Sequence, residues 1–338
     1  MKAYAGIDLH SSNSYIGIID EQNQRQFGKR LPNSLSQILV ALEPYREDLE
    51  AVVVESTYNW YWLVDGLQQE GYKVNLANSS AIKQYECLKH TDDKWDAFWL
   101  AQMKHLNILP EGYIYPKEGR PVRDLLRRRL LFVRQRTSQI LSLQSAIERN
   151  LSLKMSGRAI KKLKEEEGEG LFDSPYLVLT AKSNIAVIQF LTKRIKLIEK
   201  AVKSEVELRK EFHLLKTIPG IGDILTLTIM LEVGDICRFP KVGNYSSYCR
   251  CVRSEKLSNG KKKGKNNTKN GNKYLSWAYV EAANFAIRFS PEAQKFYQRK
   301  MAKTNGIVAI KALSNKLARA SYYIMRDQIA YDPIKLFG

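Results

Sequence analysis

A mixed α/β sheet followed by long helices is the fold class that the 338-residue sequence predicts, and three observations predict it. Two short β-rich runs, 3–8 (AYAGID) and 14–20 (SYIGIID), flank a turn-like HSSNS and read as a hairpin. Alternating strand and helix patterns follow to about residue 76, the signature of a mixed sheet with covering helices. Beyond Arg123 the period changes to steps of three and four: Ile140, Leu143, Ile147 and Leu151, then Ile188, Leu191, Ile195, Ile198 and Val202.

The elements follow in order. Residues 22–30 extend the hairpin to a third strand, and 34–49 read as a helix with Leu35, Ile38, Leu39 and Leu42 on one face. The run 51–55 (AVVVE) is nearly all apolar and ends in an acid, as expected of a central buried strand. A helix near 60–70 and a strand over 72–76 come next, and KWDAFWLAQM opens a further helix. The two long helical stripes fit an intramolecular helical hairpin or a coiled coil between subunits equally well. Between them 157–170 (GRAIKKLKEEEGEG) reads as a charged linker without periodicity. The last third holds TIPGIG (217–222) before an apolar helix, then a basic segment, 241–269, with nine Lys/Arg and one acid. Two closing helices follow near 272–288 and 306–327.

Composition bounds the function. A hydrophobic content of 44% suffices for real cores and excludes wholesale disorder. No run approaches the roughly 20 apolar residues that span a bilayer. Asp8 and His10 interrupt the N-terminal apolar stretches, so a signal peptide is not expected. Four cysteines, Cys87, Cys237, Cys249 and Cys251, form neither a disulfide framework nor paired zinc knuckles. A cytoplasmic protein is the expectation.

The net charge of +19 is uneven: residues 1–120 carry 12 Lys+Arg against 16 Asp+Glu, leaving 42 against 19 for 121–338. An acidic front and a basic remainder suggest chemistry in front and polyanion binding behind. An anionic membrane competes with nucleic acid as the polyanion, but the basic residues lack a strongly apolar opposite face, which favours nucleic acid.

Candidate chemistry lies in four places. Asp8 and Glu55 end strands, where side chains of α/β sheets meet ligands. Asp93 and Asp96, three apart at a helix start, face one side. Together the four carboxylates would suit hard divalent cations such as Mg²⁺ or Mn²⁺. Taken singly, Asp92 or Asp93 reads first as a helix N-cap and Glu55 as a plain strand end. The PGIG turn, with Gly220 and Gly222, presents backbone N–H groups as helix-hairpin-helix modules do; a plain tight turn fits equally. Ser254 and Ser258 sit in a cationic loop with Lys261, Lys262, Lys263, Lys265 and Lys269, where a serine could attack a phosphodiester or do nothing chemical. With Arg123, Arg127 and Arg128, these lysines and glycines are the candidate phosphate contacts. The histidines show no metal-ligand spacing and read as packing or surface residues, although His10 and His90 neighbour Asp8 and Asp93.

Five segments in order, GIDLH (6–10), VVVEST (52–57), TDDKWDA (91–97), TIPGIG (217–222) and SNGKKKG…TKNGNKYL (258–275), resemble DEDD transposases of the one-ten family of insertion sequences. That family includes pilin-gene invertases and bridge-RNA-guided recombinases, and the likeness runs from residue 4 to about 325. It implies an RNase H-like, resolvase-like metal domain over 1–118, with Asp8, Glu55, Asp93 and Asp96 as ligands. It further implies a helical coiled-coil region over 119–212 and a mostly helical transposase domain over 213–338 that supplies a serine nucleophile. In the family the serine begins a Ser-Gly pair at the eleventh position of a segment resembling F/Y-A-G-L-x-P. Counting from Tyr248 reaches Ser258, with Asn259 in place of the glycine and Cys249, Arg250, Cys251 and Arg253 replacing the other family residues. Ser254 therefore stays an alternative.

The function so implied is strand cleavage and exchange through a phosphoserine, on DNA, directed by a structured guide RNA. A homo-oligomer, dimer or tetramer, in a bacterial or archaeal cytoplasm completes the expectation. A metal-only nuclease and a non-catalytic nucleic-acid-binding protein are the alternatives.

Overall fold

The computed structural model describes residues 1–82, 92–264 and 270–338. By contact the chain divides into two units, Met1–Lys117 with Lys256–Asn270, and Glu118–Glu255 with Gly271–Gly338.

In the first unit, β1 (Ala3–Leu9), β2 (Asn13–Asp20) and β3 (Arg25–Pro32) form an antiparallel meander. Then come α1 (Leu35–Leu42), β4 (Leu49–Glu55), α2 (Tyr61–Gln69), β5 (Val74–Ala77), α3 (Asp93–His105) and the short β6 (Glu111–Gly112). The sheet order is β3-β2-β1-β4-β5-β6, with β4 parallel to both β1 and β5. This is the mixed α/β architecture expected, consistent with an RNase H-like domain. α1 stops well short of residue 49. Pro44 has no N–H to continue the ladder, so the chain passes through a 3₁₀ turn over Glu43–Tyr45 and enters β4 early.

A row of glycines seats α3 on the sheet. Gly6 pairs with Gly17 and Gly17 with Gly28, giving three adjacent strands a line without side chains. A Cβ at Gly6 would lie 2.0 Å from the Ala97 carbonyl oxygen, and one at Gly17 2.9 Å from the Phe98 ring. Only the bare backbone lets the helix approach so closely, and this approach brings the first turn of α3 to the ends of β1 and β4.

In the second unit, α4 (Arg120–Leu151) and α6 (Pro175–Val206) form an antiparallel hairpin. Arg129 pairs with Glu199 at 2.6 Å and Arg136 donates to Thr192 at 3.1 Å. Ile140, Leu143, Ala146 and Ile147 pack with Ala181, Ile185 and Ile188. The two stripes thus meet within one chain. The segment between them is not a bare linker: it forms α5 (Gly157–Ile160) and returns Ile160 and Phe172 to the same core. Scattered anchors in a polar sequence produce no period.

The remaining helices are α7 (Lys210–Leu215), α8 (Asp223–Val233), α9 (Val242–Tyr248), α10 (Lys273–Phe289), α11 (Pro291–Lys303), α12 (Gly306–Asp327) and α13 (Pro333–Phe337). They enclose Tyr245, Tyr279 and Tyr322, whose hydroxyls are satisfied inside: Tyr245 with Tyr279 at 2.5 Å, Tyr322 with the Phe239 carbonyl at 3.0 Å. α11 had no apolar stripe to announce it, since Ala293 is its only fully buried residue. Among the described residues no helix is long and apolar enough to cross a membrane.

Candidate active site

Four acids expected at one place meet there. Ile7 pairs with Val54 in parallel register, so Asp8 and Glu55 stand side by side at the next position, each within reach of the other's charge. α3 brings Asp93 and Asp96 from above. Asp92 caps that helix, its carboxylate accepting from the Trp95 N–H at 2.7 Å, which leaves Asp93 free to face the site.

The electrostatics of the cluster are those of unneutralised acids. Burial, then the hydrogen bond and charge of Glu55 and the charge of Asp96, push the Asp8 carboxyl up to about 7, against an opposing pull from His10. Burial and the neighbouring carboxylates push Asp96 up to about 6. Asp8 Oδ2 and Asp96 Oδ1 are buried and accept no hydrogen bond. Buried oxygen lone pairs without donors, in a set of mutually repelling carboxylates, fit a hard divalent cation.

Two neighbours join the four acids: His10, which the sequence marked only as adjacent to Asp8, and Arg30, which it did not mark. His10 Nε2 lies 3.2 Å from Asp8 Oδ2 and 3.1 Å from Asp93 Oδ1. Arg30, on β3, pairs with the other Asp93 oxygen and donates to Asn13 Oδ1 at 2.9 Å. Despite partial burial, the bonds from His10 and Arg30 hold the Asp93 carboxyl below its ordinary range. Against desolvation, the charge of Asp8 and the bond to Asp93 hold His10 above its own. Position two after the β1 aspartate was the available signal for His10. Arg30 gave none without the strand register.

Ser258 ends β7 (Lys256–Ser258), which pairs with β8 (Lys261–Gly264) through an Asn259-Gly260 turn. Both turn residues have positive φ, 49° and 69°, the geometry of a tight two-residue hairpin. The Asn259 that departs from the family pattern is therefore a good hairpin-turn residue. Ser258, Lys261 and Lys263 are exposed, whereas Ser254 Oγ is buried. This hairpin, sequence-distant from Asp8, groups by contact with the carboxylate unit. Asn78 there donates to Asn270 at 3.3 Å. Lys265 and Lys269 lie outside the described residues, as do Cys87 and His90.

The other candidate phosphate contacts are dispersed within the second unit. Arg127 makes a bidentate pair with buried Glu232 at 2.6 and 2.7 Å, Arg123 is buried, and Arg128 is exposed. Gly220 (φ 89°) presses its backbone onto α10, where a Cβ would lie 2.6 Å from the Ala282 carbonyl. Gly222 is exposed at the head of α8, whose first residue, Asp223, pairs with Lys203 and Lys216 at 2.7 Å each.

A sheet of this order with an acid at the ends of its two central parallel strands and two more on a crossing helix defines a metal-dependent phosphoryl-transfer domain. Comparison with known families agrees. A DEDD transposase model of the IS110 group, described as Transposase, matches residues 5–150. A second, described as Transposase IS116/IS110/IS902 family, matches residues 212–298, and together they cover more than half of the chain. The chain belongs to the IS110 family of DEDD transposases and is a DNA transposase, a class that binds DNA and uses divalent metal. No curated protein matches it.

Proposed function

We propose that this transposase cleaves and exchanges DNA strands through a phosphoserine at Ser258, directed by a structured guide RNA. The observation that carries the reading is that an exposed serine on a lysine-bearing hairpin groups with the unit holding the four carboxylates.

Asp8, Glu55, Asp93 and Asp96 would hold the metal, Mg²⁺ or Mn²⁺. When bound, it supplies Lewis-acid polarisation of the scissile phosphate and stabilises developing oxyanion charge. Ser258 Oγ attacks phosphorus, forming a P–O bond as the bond to the sugar oxygen breaks. The serine proton ends on the departing sugar hydroxyl. Because one phosphoester replaces another, the bond can be resealed to a new strand without external energy. Lys261 and Lys263 neutralise the entering phosphates. Lys262, Lys265, Lys269, Arg128 and Gly222 extend the binding, and Arg123, Arg127 and Gly220 support it from within the second unit.

An oligomer is favoured by the row of exposed apolar residues on α6, Tyr176, Leu179, Phe190 and Leu197, at heptad-like steps. The three-part division at 118/119 and 212/213 then assigns metal chemistry, assembly and nucleophile to successive segments.

Trapping the covalent protein–DNA adduct, with and without RNA from the element, tests the reading. Ser258→Ala is expected to abolish adduct and strand exchange, and Ser254→Ala to retain both. Cleavage by Ser258→Ala at the wild-type rate would favour the metal-only nuclease. Mixing Ser258→Ala with Asp8→Asn protein then asks whether one subunit's serine serves another's carboxylates.

A further inference from the structure

We infer that His10 is a nitrogen ligand of the divalent cation, joining Asp8 and Asp93. The inference rests on the reading of the carboxylates as a metal centre and adds to it a donor from outside the four acids.

Geometry carries it first. Among the described residues, Asp8, His10 and Asp93 each offer one ligand atom within 4.8 Å of the others. The His10 ring nitrogen stands 3.2 and 3.1 Å from the two oxygens. Octahedral bonds of about 2.2 Å place neighbouring donors about 3.1 Å apart, so the nitrogen stands from each of the two oxygens at the spacing of adjacent corners around one ion. His10 Nε2 makes an ion-pair contact with both oxygens, and Asp8 Oδ2, on a side chain only 3% exposed, accepts no hydrogen bond. A plain ion pair would be expected to aim the N–H at the deeper oxygen. Instead that oxygen is left without a donor, in the seat a cation would take. His10 also acts electrostatically on Asp96 and feels the charge of Glu55, so it stands within the field of the whole acidic set.

The backbone supplies a second, independent argument. His10 lies in a turn, yet its carbonyl accepts from both Asn33 Nδ2 and Asn59 Nδ2 at 2.9 Å, and its N–H donates to the Asn13 carbonyl at 2.9 Å. Those asparagines are themselves held: Ser14 Oγ donates to Asn33 Oδ1 at 2.7 Å, and Thr57 Oγ1 to Asn59 Oδ1 at 2.8 Å. Groups following β1, β3 and β4 thus converge to fix one turn residue. Such convergence is what an oriented ligand requires and what a solvated surface histidine does not. The ring remains about two-fifths exposed, open to substrate on its outer side.

The chemical consequence is a mixed nitrogen–oxygen donor set. Mg²⁺ favours oxygen alone, whereas first-row transition ions accept imidazole, so His10 biases the centre toward Mn²⁺ over Mg²⁺.

Mn²⁺ bound to the full-length protein provides the test, read by pulsed electron paramagnetic resonance. Wild-type protein should show coupling of the bound ion to a ¹⁴N nucleus. His10→Ala should lose that coupling, bind Mn²⁺ about 10- to 100-fold more weakly, and narrow the preference for Mn²⁺ over Mg²⁺. Asp8→Asn should lose the site-bound ion altogether. Wild-type protein that binds Mn²⁺ in an Asp8-dependent manner but without nitrogen coupling would overturn the assignment of His10 and leave the carboxylate centre standing. Wild-type protein with no Asp8-dependent Mn²⁺ would overturn both. The nitrogen coupling itself is read on wild-type protein.

Discussion

Two buried carboxylates, one in each unit, have opposite surroundings. Asp8 is 3% exposed, stands among other acids and has an oxygen with no donor. Glu232 is 4% exposed, but Arg127 meets both its oxygens and Asn272 donates to one of them at 2.7 Å. Asn272 in turn caps α10 through the Tyr274 and Leu275 N–H groups, and the Arg127 guanidinium lies over the Tyr274 ring. Burial alone therefore says nothing about purpose. A buried acid with both oxygens answered by donors is part of the framework; one left among other acids has the electrostatics that a cation would relieve.

The comparison breaks most sharply on activity. Asp8→Asn or Asp96→Asn should reduce metal-dependent DNA cleavage on the order of 10³-fold or more, as losing several kcal/mol of Lewis-acid stabilisation requires. Metal-free protein should melt no lower than wild type, because a repulsive charge has gone. Glu232→Ala should do the reverse to the fold. It leaves the partly buried Arg127 guanidinium and the Asn272 amide without their acceptor, and chemical denaturation should show a loss of about 1–3 kcal/mol. If Asp8→Asn and Glu232→Ala destabilised equally, the distinction between the two acids would be lost.

Gly6→Ala sharpens the comparison from the side of the fold. The added methyl collides with backbone, so α3 must lift, at a cost of about 1–3 kcal/mol. Asp93 and Asp96 move with the helix, and Mn²⁺ affinity measured by titration should fall further than stability does.

The smallest effect is on pH. In metal-free protein, burial and neighbouring charge raise Asp8 to about 7 and Asp96 to about 6, against about 3.9 for an unfolded aspartate. Between those values the folded chain holds more protons than the unfolded one, so stability falls as pH rises through roughly 4 to 7. Thermal melts in chelator should show that slope, and Asp8→Asn should flatten it.

Much of the site could be read from the chain because its parts are local. Asp8 and Glu55 close recognisable strands, and Asp93 and Asp96 fall one helical turn apart. What depends on register or distance could not. Gly6, Gly17 and Gly28 become a seat for α3 only once three strands are aligned. Arg127 looked like a phosphate contact because its partner Glu232 lies 105 residues away. The 157–170 segment looked unstructured because its packing rests on Ile160 and the nearby Phe172. Charge counts see side chains one at a time, and pairing is what changes their meaning.

The helical hairpin is also a length. α4 and α6 each contain 32 residues, and at about 1.5 Å per residue each extends roughly 48 Å. With duplex DNA rising about 3.4 Å per base pair, that is the span of some 14 base pairs. A pair of antiparallel helices holds such a distance stiffly, and whole-heptad changes alter it without turning the faces. Removing seven residues from each helix would shorten the span by about 10 Å, or three base pairs. The reach of the hairpin is thus adjustable in divisions of one heptad, with its faces kept in register.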